Sequence, residues 1–367
     1  MKKRANREGS IYYEQSRGKW CAQHYVNGKP IRKRFDRQQE AAQWLREQQT
    51  ALAQGTFVEP SRMTLGEWLP YYMENIAALK LKASTYQNEQ GLIRKHLLPA
   101  LGMCRLQDPR LRDHVQAFIR QQAKAGMKTS SIRRQKAVLS KALDEAVEQR
   151  YLLKNPCSSV TMPAEDARET RHLTAAEVEQ WKPCLPQDTT GRALQFLLGT
   201  GLRVSELCAL RWDDLKGKTL HITHTLTDAG EMTSTKTKAG RRTLQLNAPL
   251  LALVEAQRRQ QRLDRLASGT LWQEDGFVFA NGIGGHLDRH NLNRAFHATL
   301  KAAGLPAMSV HALRHTFATL AVERGVNIKS LSVILGHAKV TTTLQMYVHS
   351  DVKSETAAME SMSWLSA

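Results

Sequence analysis

Six side chains in the second half of the chain are of types that could act together on a phosphate ester. They supply two guanidiniums, two imidazoles, one ammonium and one phenol, on Arg203, Lys236, His311, Arg314, His337 and Tyr347. Arginines can clamp the non-bridging oxygens of a phosphate, and histidines can donate to the same oxygens or accept the proton of a phenol. No carboxylate cluster accompanies these residues. The set therefore predicts phosphoryl transfer with neither a metal nor another cofactor.

Tyr347 is the candidate nucleophile, in the stretch LGHAKVTTTLQMYVH. A phenol with an ordinary pKa of about 10 reacts poorly at neutral pH, but cationic neighbours lower that pKa and a histidine can take the proton. A covalent intermediate would keep the energy of the broken phosphodiester, so a strand could be resealed without ATP. The Thr-rich segment before Tyr347 is expected to be a mobile connector.

Arg203 and Lys236 each lie in a local pattern that would position them. Arg203 follows two glycines at the start of a short helix in GTGLRVSEL, and Glu206, one turn later, could hold its guanidinium. Lys236 approaches the tip of a hairpin that the sequence predicts around Ala239-Gly240, in EMTSTKTKAGRRTLQL. Lys238 is the alternative candidate for the residue that supplies the ammonium group.

His311 and Arg314 are three residues apart on a predicted amphipathic helix, so they share one face. His337 follows a Leu-Gly pair further along. A serine hydrolase is not favoured, because the chain has no nucleophile-elbow motif. A zinc site is not favoured either, since the histidines alternate with arginines rather than with carboxylates.

The net charge indicates a polyanionic partner. The chain has 53 Lys and Arg against 34 Asp and Glu, a net charge of +19. Nucleic acid is favoured over a membrane, because no long apolar run and no basic amphipathic helix with a bulky apolar face stands out. The N-terminus lacks the apolar stretch of a secretory signal, so the cytoplasm is expected. The five cysteines have no metal-site spacing.

A length of 367 residues predicts two or three domains. Residues 1–55 predict a small three-stranded sheet plus a helix, residues 64–162 an all-α helical bundle, and residues 171–367 a mixed α+β, mainly helical domain. Linkers are expected at residues 56–63, which lack periodicity and contain Pro60, and at residues 163–170, which lie in a second irregular stretch.

The first segment has the features of a DNA-reading sheet. Residues 1–55 alone contribute +7, and Asn27-Gly28 is typical of a two-residue hairpin turn. The return strand places Arg32 and Arg34 on one face. These arginines either enter a DNA groove, as in β-ribbon readers, or form a solvated strand face.

Basic residues also lie at predicted helix starts in the bundle, namely Lys82, Lys128, Arg133 and Arg134. Helix N-termini suit phosphate, so these residues are candidate DNA contacts. Helix capping alone would equally explain the Ser and Thr residues beside them.

The catalytic candidates, in this order and with the flanks GLRVSEL, HALRHTFAT and LGHAKVTTTLQMY, closely resemble the tyrosine recombinases, in particular phage and mobile-element integrases of the lambda type. The resemblance covers the whole chain. It implies an arm-type DNA-binding domain at residues 1–55, a SAM-like core-binding domain at residues 64–162, and a catalytic domain with a C-terminal tail at residues 171–367.

By that resemblance Tyr347 attacks a DNA phosphodiester, forms a 3′-phosphotyrosyl link and releases a 5′-hydroxyl. The resemblance implies that Arg203 and Arg314 stabilise the transition state. It also implies that His337 adds a donor and that His311 helps to move the proton.

Lys236 would protonate the leaving 5′ oxygen by the same resemblance. The implied activity is site-specific integration, and help with excision, of a phage or mobile element. The implied partners are double-stranded attachment sites of core and arm type, a homotetramer on DNA, an excisionase and a DNA-bending host factor. The alternatives are a type IB topoisomerase-like enzyme and a non-catalytic DNA-binding protein. The tail after Tyr347 either packs on a neighbouring protomer or folds back.

Overall fold

The computed structural model of the chain describes residues 9–26, 28–164, 171–227, 229–235 and 238–347, with every side chain in these ranges except those of Lys238, Thr342 and residues 345–347. The chain divides into two compact units, Met1–Ala167 and Arg168–Ala367. Lys236 and the tail from residue 348 lie outside the described residues.

The first unit begins with a small antiparallel sheet covered by a helix. Its strands are β1 (Ser10–Glu14), β2 (Lys19–Val26) and β3 (Lys29–Phe35), with β2 in the middle. The helix α1 (Gln38–Ala53) packs mainly on β2. Asn27 of the predicted hairpin turn lies outside the described residues. The predicted three-stranded sheet plus helix is confirmed.

The two faces of this sheet differ because side chains alternate along a strand. Ala22 of β2 is fully buried and packs with Ala41 and Leu45 of α1. Across the ladder it pairs with the residue between Arg32 and Arg34. Both arginines therefore lie on the face turned away from α1.

The rest of the first unit is helical. Its helices are α2 (Leu65–Tyr72), α3 (Ala83–Leu92), α4 (Leu111–Lys124) and α5 (Thr129–Glu148). π-helical and short α-helical turns extend α2 through Met73–Ala77 and Ala78–Lys80, and α3 through Ile93–Leu97 and Leu98–Leu101. Trp68 is fully buried in this bundle and donates its indole N–H to the carbonyl of Ala142 at 2.8 Å.

The second unit is mainly helical. Its helices are α6 (Ala175–Trp181), α7 (Thr189–Thr200), α8 (Val204–Cys208), α9 (Ala248–Ser268), α10 (Arg289–Ala302), α11 (His311–Glu323), α12 (Ile328–Leu335) and α13 (Val340–Tyr347). Its core includes Trp181 edge-on to Phe296, with ring centroids 5.4 Å apart. Across the described ranges, no helix is long and apolar enough to cross a membrane.

Short strands complete the second unit. They are β4 (Leu215–Lys216), β5 (Thr219–Ile222), β6 (His224–Leu226), β7 (Met232–Ser234) and β8 (Arg242–Gln245). β5 pairs with β4 and β8, whereas β6 pairs with β7. Since β5 and β6 are separated by one residue, β7 and β8 pair with successive parts of one nearly continuous strand.

The hairpin predicted around Ala239-Gly240 is therefore wrong in its position. The chain reverses earlier, between β6 and β7, where the N–H of Thr227 donates to the carbonyl of Glu231 at 2.9 Å. Gly230 supplies the positive φ of 78° that this turn requires. Ala239-Gly240 instead belongs to a short 3-10 turn that interrupts the returning strand between β7 and β8.

Candidate active site

Guanidinium groups from three other parts of the unit lie at the C-terminal end of α12. The helix ends at Leu335, and the last carbonyls of a helix lack intrahelical partners and lie at the negative end of its dipole. Three consecutive carbonyls accept hydrogen bonds: Ile334 from Arg242 Nε at 2.5 Å, Leu335 from Arg314 Nη2 at 2.6 Å, and Gly336 from Arg203 Nη2 at 3.3 Å. One helix end thus holds three positive charges beside His337.

Gly336 makes this arrangement possible. It adopts a left-handed conformation with φ of 68°. A Cβ at this position would come 2.9 Å from the carbonyl oxygen of Ala239 and 2.9 Å from a guanidinium nitrogen of Arg242. The turn between β7 and β8 therefore packs directly against the end of α12, which explains the Leu-Gly pair before His337.

Arg314 is fixed between two helix ends. Its side chain is buried, and its Nη1 donates to the carbonyl of Gly201 at 2.8 Å while Nη2 holds Leu335. Gly201 ends α7 with φ of 64°, and a Cβ there would meet the Phe317 ring at 2.5 Å. Gly201, the second of the two glycines before α8, thus marks a close approach of backbone to the site, whereas Gly199 packs against Leu250.

Arg203 starts α8 and remains partly open to solvent, with 36% of its side chain exposed. Its backbone N–H donates to Glu206 Oε2 at 2.9 Å, and its Nη1 donates to Oε1 at 2.6 Å. The prediction that Glu206 holds this guanidinium is confirmed. The Glu206 side chain is only 1% exposed, and the arginines that donate to it outweigh its burial and hold the pKa of its carboxyl below the usual value.

His311 is the first residue of α11, and the ring of His315 lies edge-on to it at 4.8 Å. Partial burial, together with the neighbouring His315, Arg314 and Arg203, lowers the pKa of His311 to about 4. The residue nevertheless keeps an exposed surface. A neutral imidazole at this position can accept a proton at neutral pH.

His337 links the end of α12 to α13. Its Nδ1 lies 2.8 Å from the hydroxyl of Thr343, which is fully buried. Burial, together with the cations of Arg314, Arg203 and Arg242, lowers the pKa of His337 to about 4. The segment expected to be a mobile connector is α-helical from Val340 to Tyr347, because Thr343 is held inside the fold rather than exposed.

The structure thus brings Arg203, Arg314 and His337 to one helix end, with His311 within electrostatic reach of both arginines. The backbone of Tyr347 closes α13, ten positions after His337. Its side chain and the whole of Lys236 lie outside what the structure describes.

The predicted DNA contacts lie in the first unit, and all are exposed. Lys82 and Lys128 precede α3 and α5, and Arg133 and Arg134 lie in the first turns of α5. On the sheet, Arg32 Nε donates to Gln23 at 2.7 Å, and Arg34 Nε forms an ion pair with Glu14 at 2.5 Å. Nothing among these contacts buries a guanidinium, so both arginines remain available to a ligand.

Sequence reasoning did not single out Arg242, His315 or Thr343. Arg242 lies in an Arg-Arg pair after the predicted hairpin, where either residue could have been a solvated strand charge. His315 is one helical turn after His311, a spacing that could have revealed it. Thr343 carried no signal, because its partner is set by the packing of α13. Within the described residues, no group of three or more His, Cys, Asp or Glu side chains could hold a metal ion.

Two family models match the chain. Residues 172–354 match the phage integrase family, and residues 64–122 match the phage integrase N-terminal SAM-like domain. The first range contains every residue of the site described above.

Similar proteins cover most of the chain. A tyrosine recombinase XerC-like protein of Caldanaerobacter subterraneus is 27% identical over 92% of this chain and 92% of its own. An integrase of Streptomyces ambofaciens is 28% identical over 94% of this chain and 93% of its own. The structure of the Tn1549 transposon integrase in complex with a circular intermediate DNA has a TM-score of 0.69 and 25% identity, and covers 82% of this chain and 99% of that chain.

Proposed function

The chain belongs to the phage integrase family and is a site-specific tyrosine recombinase, and we propose that it cleaves DNA strands with Tyr347 to integrate, and help excise, a phage or mobile element. The observation that carries the proposal is the convergence of Arg203, Arg314 and His337 at the end of α12, next to the helix that ends in Tyr347. A topoisomerase-like or non-catalytic protein is not favoured by the relatives.

The proposed reaction is a transesterification. The phenol oxygen of Tyr347 attacks the scissile phosphorus, the bond from phosphorus to the 5′ oxygen breaks, and a 3′-phosphotyrosyl link forms. The neutral imidazole of His311 accepts the phenol proton. The ammonium of Lys236 gives a proton to the leaving 5′ oxygen, so a free 5′-hydroxyl results. Attack by the 5′-hydroxyl of a partner strand reverses these steps and reseals the DNA.

Arg203 and Arg314 would stabilise the extra negative charge on the non-bridging oxygens in the transition state, and His337 would add a donor through Nε2. The arginines are held before DNA arrives, since each already bonds a carbonyl at the end of α12. Preorganised donors need little rearrangement during the reaction, and removing one costs about 3 kcal/mol or more. The three carbonyls also reduce the repulsion among neighbouring guanidiniums.

The proposed domain roles follow the family. Residues 64–162 would bind the core site, with Lys82, Lys128, Arg133 and Arg134 contacting phosphates near helix starts. Residues 1–55 would bind arm-type sites through the sheet face that carries Arg32 and Arg34. The major groove admits a β-ribbon, and β-sheet readers place their strands in a DNA groove. Residues 171–367 would carry the chemistry, with 56–63 and 163–170 as linkers.

Exchange between two duplexes requires four strand cuts, and one tyrosine per protomer then requires a homotetramer. A cavity of about 1050 Å³ in the second unit offers an apolar docking place, with Leu198, Leu250, Leu253, Phe317, Leu320 and Leu331 in its wall. We assign it to the tail of a neighbouring protomer, which contains Val352, Met359, Met362, Trp364 and Leu365. Burying such side chains contributes about 25 cal/mol per Å² of apolar surface.

An excisionase and a DNA-bending host factor complete the proposed set of partners, because arm and core sites bound by one protomer must be brought together by bending. The proposed place of action is the nucleoid in the bacterial cytoplasm, where both DNA partners are found.

The test of the nucleophile uses a suicide DNA substrate that traps the covalent adduct. We expect wild-type protein to form an adduct that resists denaturation, and Tyr347→Phe to form none while binding the site with unchanged affinity. The control is Tyr71→Phe, at a residue that is 43% exposed in the first unit. An adduct that survives Tyr347→Phe would overturn the assignment.

A further inference from the structure

Arg242 is a buried arginine with four hydrogen bonds to acceptors within the protein. It is the first residue of β8, and its side chain is 4% exposed. Its Nε donates to the carbonyl of Ile334 at 2.5 Å and its Nη1 to the carbonyl of Gly240 at 3.2 Å. Its Nη1 and Nη2 also donate to the carboxylate of Glu206, at 3.1 and 2.9 Å. All three guanidinium nitrogens of Arg242 are thus bonded to acceptors within the protein.

Glu206 is shared between two guanidiniums. Oε1 accepts from Arg203 Nη1 at 2.6 Å and from Arg242 Nη1 at 3.1 Å. Oε2 accepts from the backbone N–H of Arg203 at 2.9 Å and from Arg242 Nη2 at 2.9 Å. One negative charge thus lies between two positive charges, and the group as a whole has a net charge of +1.

This net charge matters because Arg203 is the exposed member of the group. A lone Arg203–Glu206 pair would be neutral, and its attraction for a phosphate would be correspondingly weak. Arg242 donates hydrogen bonds to both oxygens of Glu206 from the buried side, so the negative charge of the carboxylate is shared between Arg242 and Arg203. The exposed guanidinium keeps much of its positive charge toward solvent.

We propose that Arg242 is a positioning residue for strand cleavage: it offsets the charge of Glu206, so that Arg203 presents net positive charge to the scissile phosphate. The proposal rests on the proposed role of Arg203 in binding that phosphate. Nothing in it depends on Arg242 touching DNA.

A purely structural role for Arg242 is the alternative, since breaking a buried ion pair destabilises most proteins. The charge of residue 206 distinguishes the positioning role of Arg242 from a purely structural one. If Arg242 acts by offsetting Glu206, then Glu206→Gln should make it dispensable, because a neutral amide can still accept from Arg203 but needs no second cation. A structural role predicts that the two substitutions together are at least as harmful as either one.

The experiment measures single-turnover formation of the covalent adduct on a suicide substrate, with the full chain at saturating concentration. The variants are Arg242→Met, Glu206→Gln and the double variant, with thermal unfolding recorded for each. Arg241→Met is the matched control, because Arg241 is the exposed preceding residue. Arg242→Lys tests charge without the forked geometry.

We expect Arg242→Met to slow cleavage about tenfold or more and Arg241→Met to change it less than about threefold. The double variant should cleave at least about tenfold faster than Arg242→Met, and Arg242→Lys should lie between that variant and wild type. A double variant that is folded but no faster than Arg242→Met would overturn the proposal.

If Arg242→Met does not fold, the comparison is between the double variant and Glu206→Gln. Equal rates support the proposal, whereas a drop of about tenfold or more on adding Arg242→Met contradicts it. A wild-type protein that forms no adduct would instead refute the proposed reaction itself. That outcome can be told apart from the others, because each test of Arg242 compares the cleavage rates of two proteins that both cleave DNA.

Discussion

The Nδ1 atom of His337 lies 2.8 Å from the hydroxyl of Thr343, and this hydrogen bond joins the end of α12 to the helix that ends in Tyr347. Thr343 is fully buried, so no water competes for the imidazole nitrogen. With Nδ1 engaged, Nε2 is the nitrogen left for a phosphate oxygen. One contact therefore sets both the orientation of the imidazole and the attachment of the helix that ends in Tyr347.

Thr343→Val is expected to slow cleavage by about two- to tenfold, because it removes a hydrogen bond of about 0.5–1.5 kcal/mol while keeping the side-chain shape. The measurement is single-turnover adduct formation at saturating protein. Thr341→Val is the matched control, since Thr341 is exposed on the same helix, and it should leave the rate unchanged. Equal effects of the two substitutions would show that the bond to His337 has no part in cleavage.

Both site histidines should be neutral in the free protein at neutral pH. Burial and the neighbouring arginines lower the pKa values of His311 and His337 to about 4, against about 6.5 in an unfolded chain. A bound phosphate offsets the cations, so these pKa values should rise in a complex of Tyr347→Phe with DNA. NMR titration of the histidine signals measures the pKa values of His311 and His337 in the free protein and in the complex. The variants His311→Gln and His337→Gln assign each signal to its residue.

The same shifts make the fold sensitive to acid. Between about pH 6.5 and pH 4 the unfolded chain binds protons on these histidines and the folded chain does not, so stability falls as the pH decreases through that interval. Urea unfolding at several pH values should show a smaller loss in His337→Gln than in wild type. Free-protein pKa values at or above about 6.5 would contradict both expectations.

The sequence predicts those parts of the site that depend on local spacing. The contact of Arg203 with Glu206 spans three residues at a helix start, so the motif itself indicates it. Arg242 is different, because it meets Glu206 across 36 positions and Ile334 across 92. Such contacts arise from packing between elements, which no spacing within one helix or strand reveals.

The strands of the two units also show what sequence can and cannot predict. The three strands and the helix predicted for residues 1–55 are present, and α1 covers the sheet face opposite to Arg32 and Arg34. In the second unit, Ala239-Gly240 has the composition of a hairpin tip, yet the reversal occurs between β6 and β7. Turn composition identifies a place where the chain can bend, but strand pairing decides which of two such places reverses it.

Arg32→Gln combined with Arg34→Gln should impair integration by about tenfold or more while core-site cleavage stays unchanged. The reason is that both side chains lie on the sheet face turned away from α1, and a base contact is worth about 1–3 kcal/mol. Lys33→Gln is the control, since it removes a charge from the opposite face of the same strand. An integration assay on the element's own attachment DNA, run beside core-site cleavage, makes the comparison.

Equal loss of integration and of core cleavage in the double variant would refute a separate arm-binding role for residues 1–55. Equal effects of Lys33→Gln and the double variant would show that total charge, rather than the exposed face, decides binding. Repeating the assay between about 50 and 200 mM salt separates phosphate contacts, which weaken steeply with salt, from base contacts.

Leu253→Lys should prevent assembly of the active tetramer without preventing DNA binding by single protomers. Leu253 lies in the wall of the 1050 Å³ cavity, and a charge there would oppose the docking of an apolar tail. Leu263→Lys is the matched control, because Leu263 is on the same helix, outside the cavity and 61% exposed. Native gels and light scattering on a two-site DNA measure the assembly, and a chain that stops at residue 351 should behave like Leu253→Lys. Normal assembly of both variants would exclude the cavity as the docking place, because each change removes one side of the proposed contact.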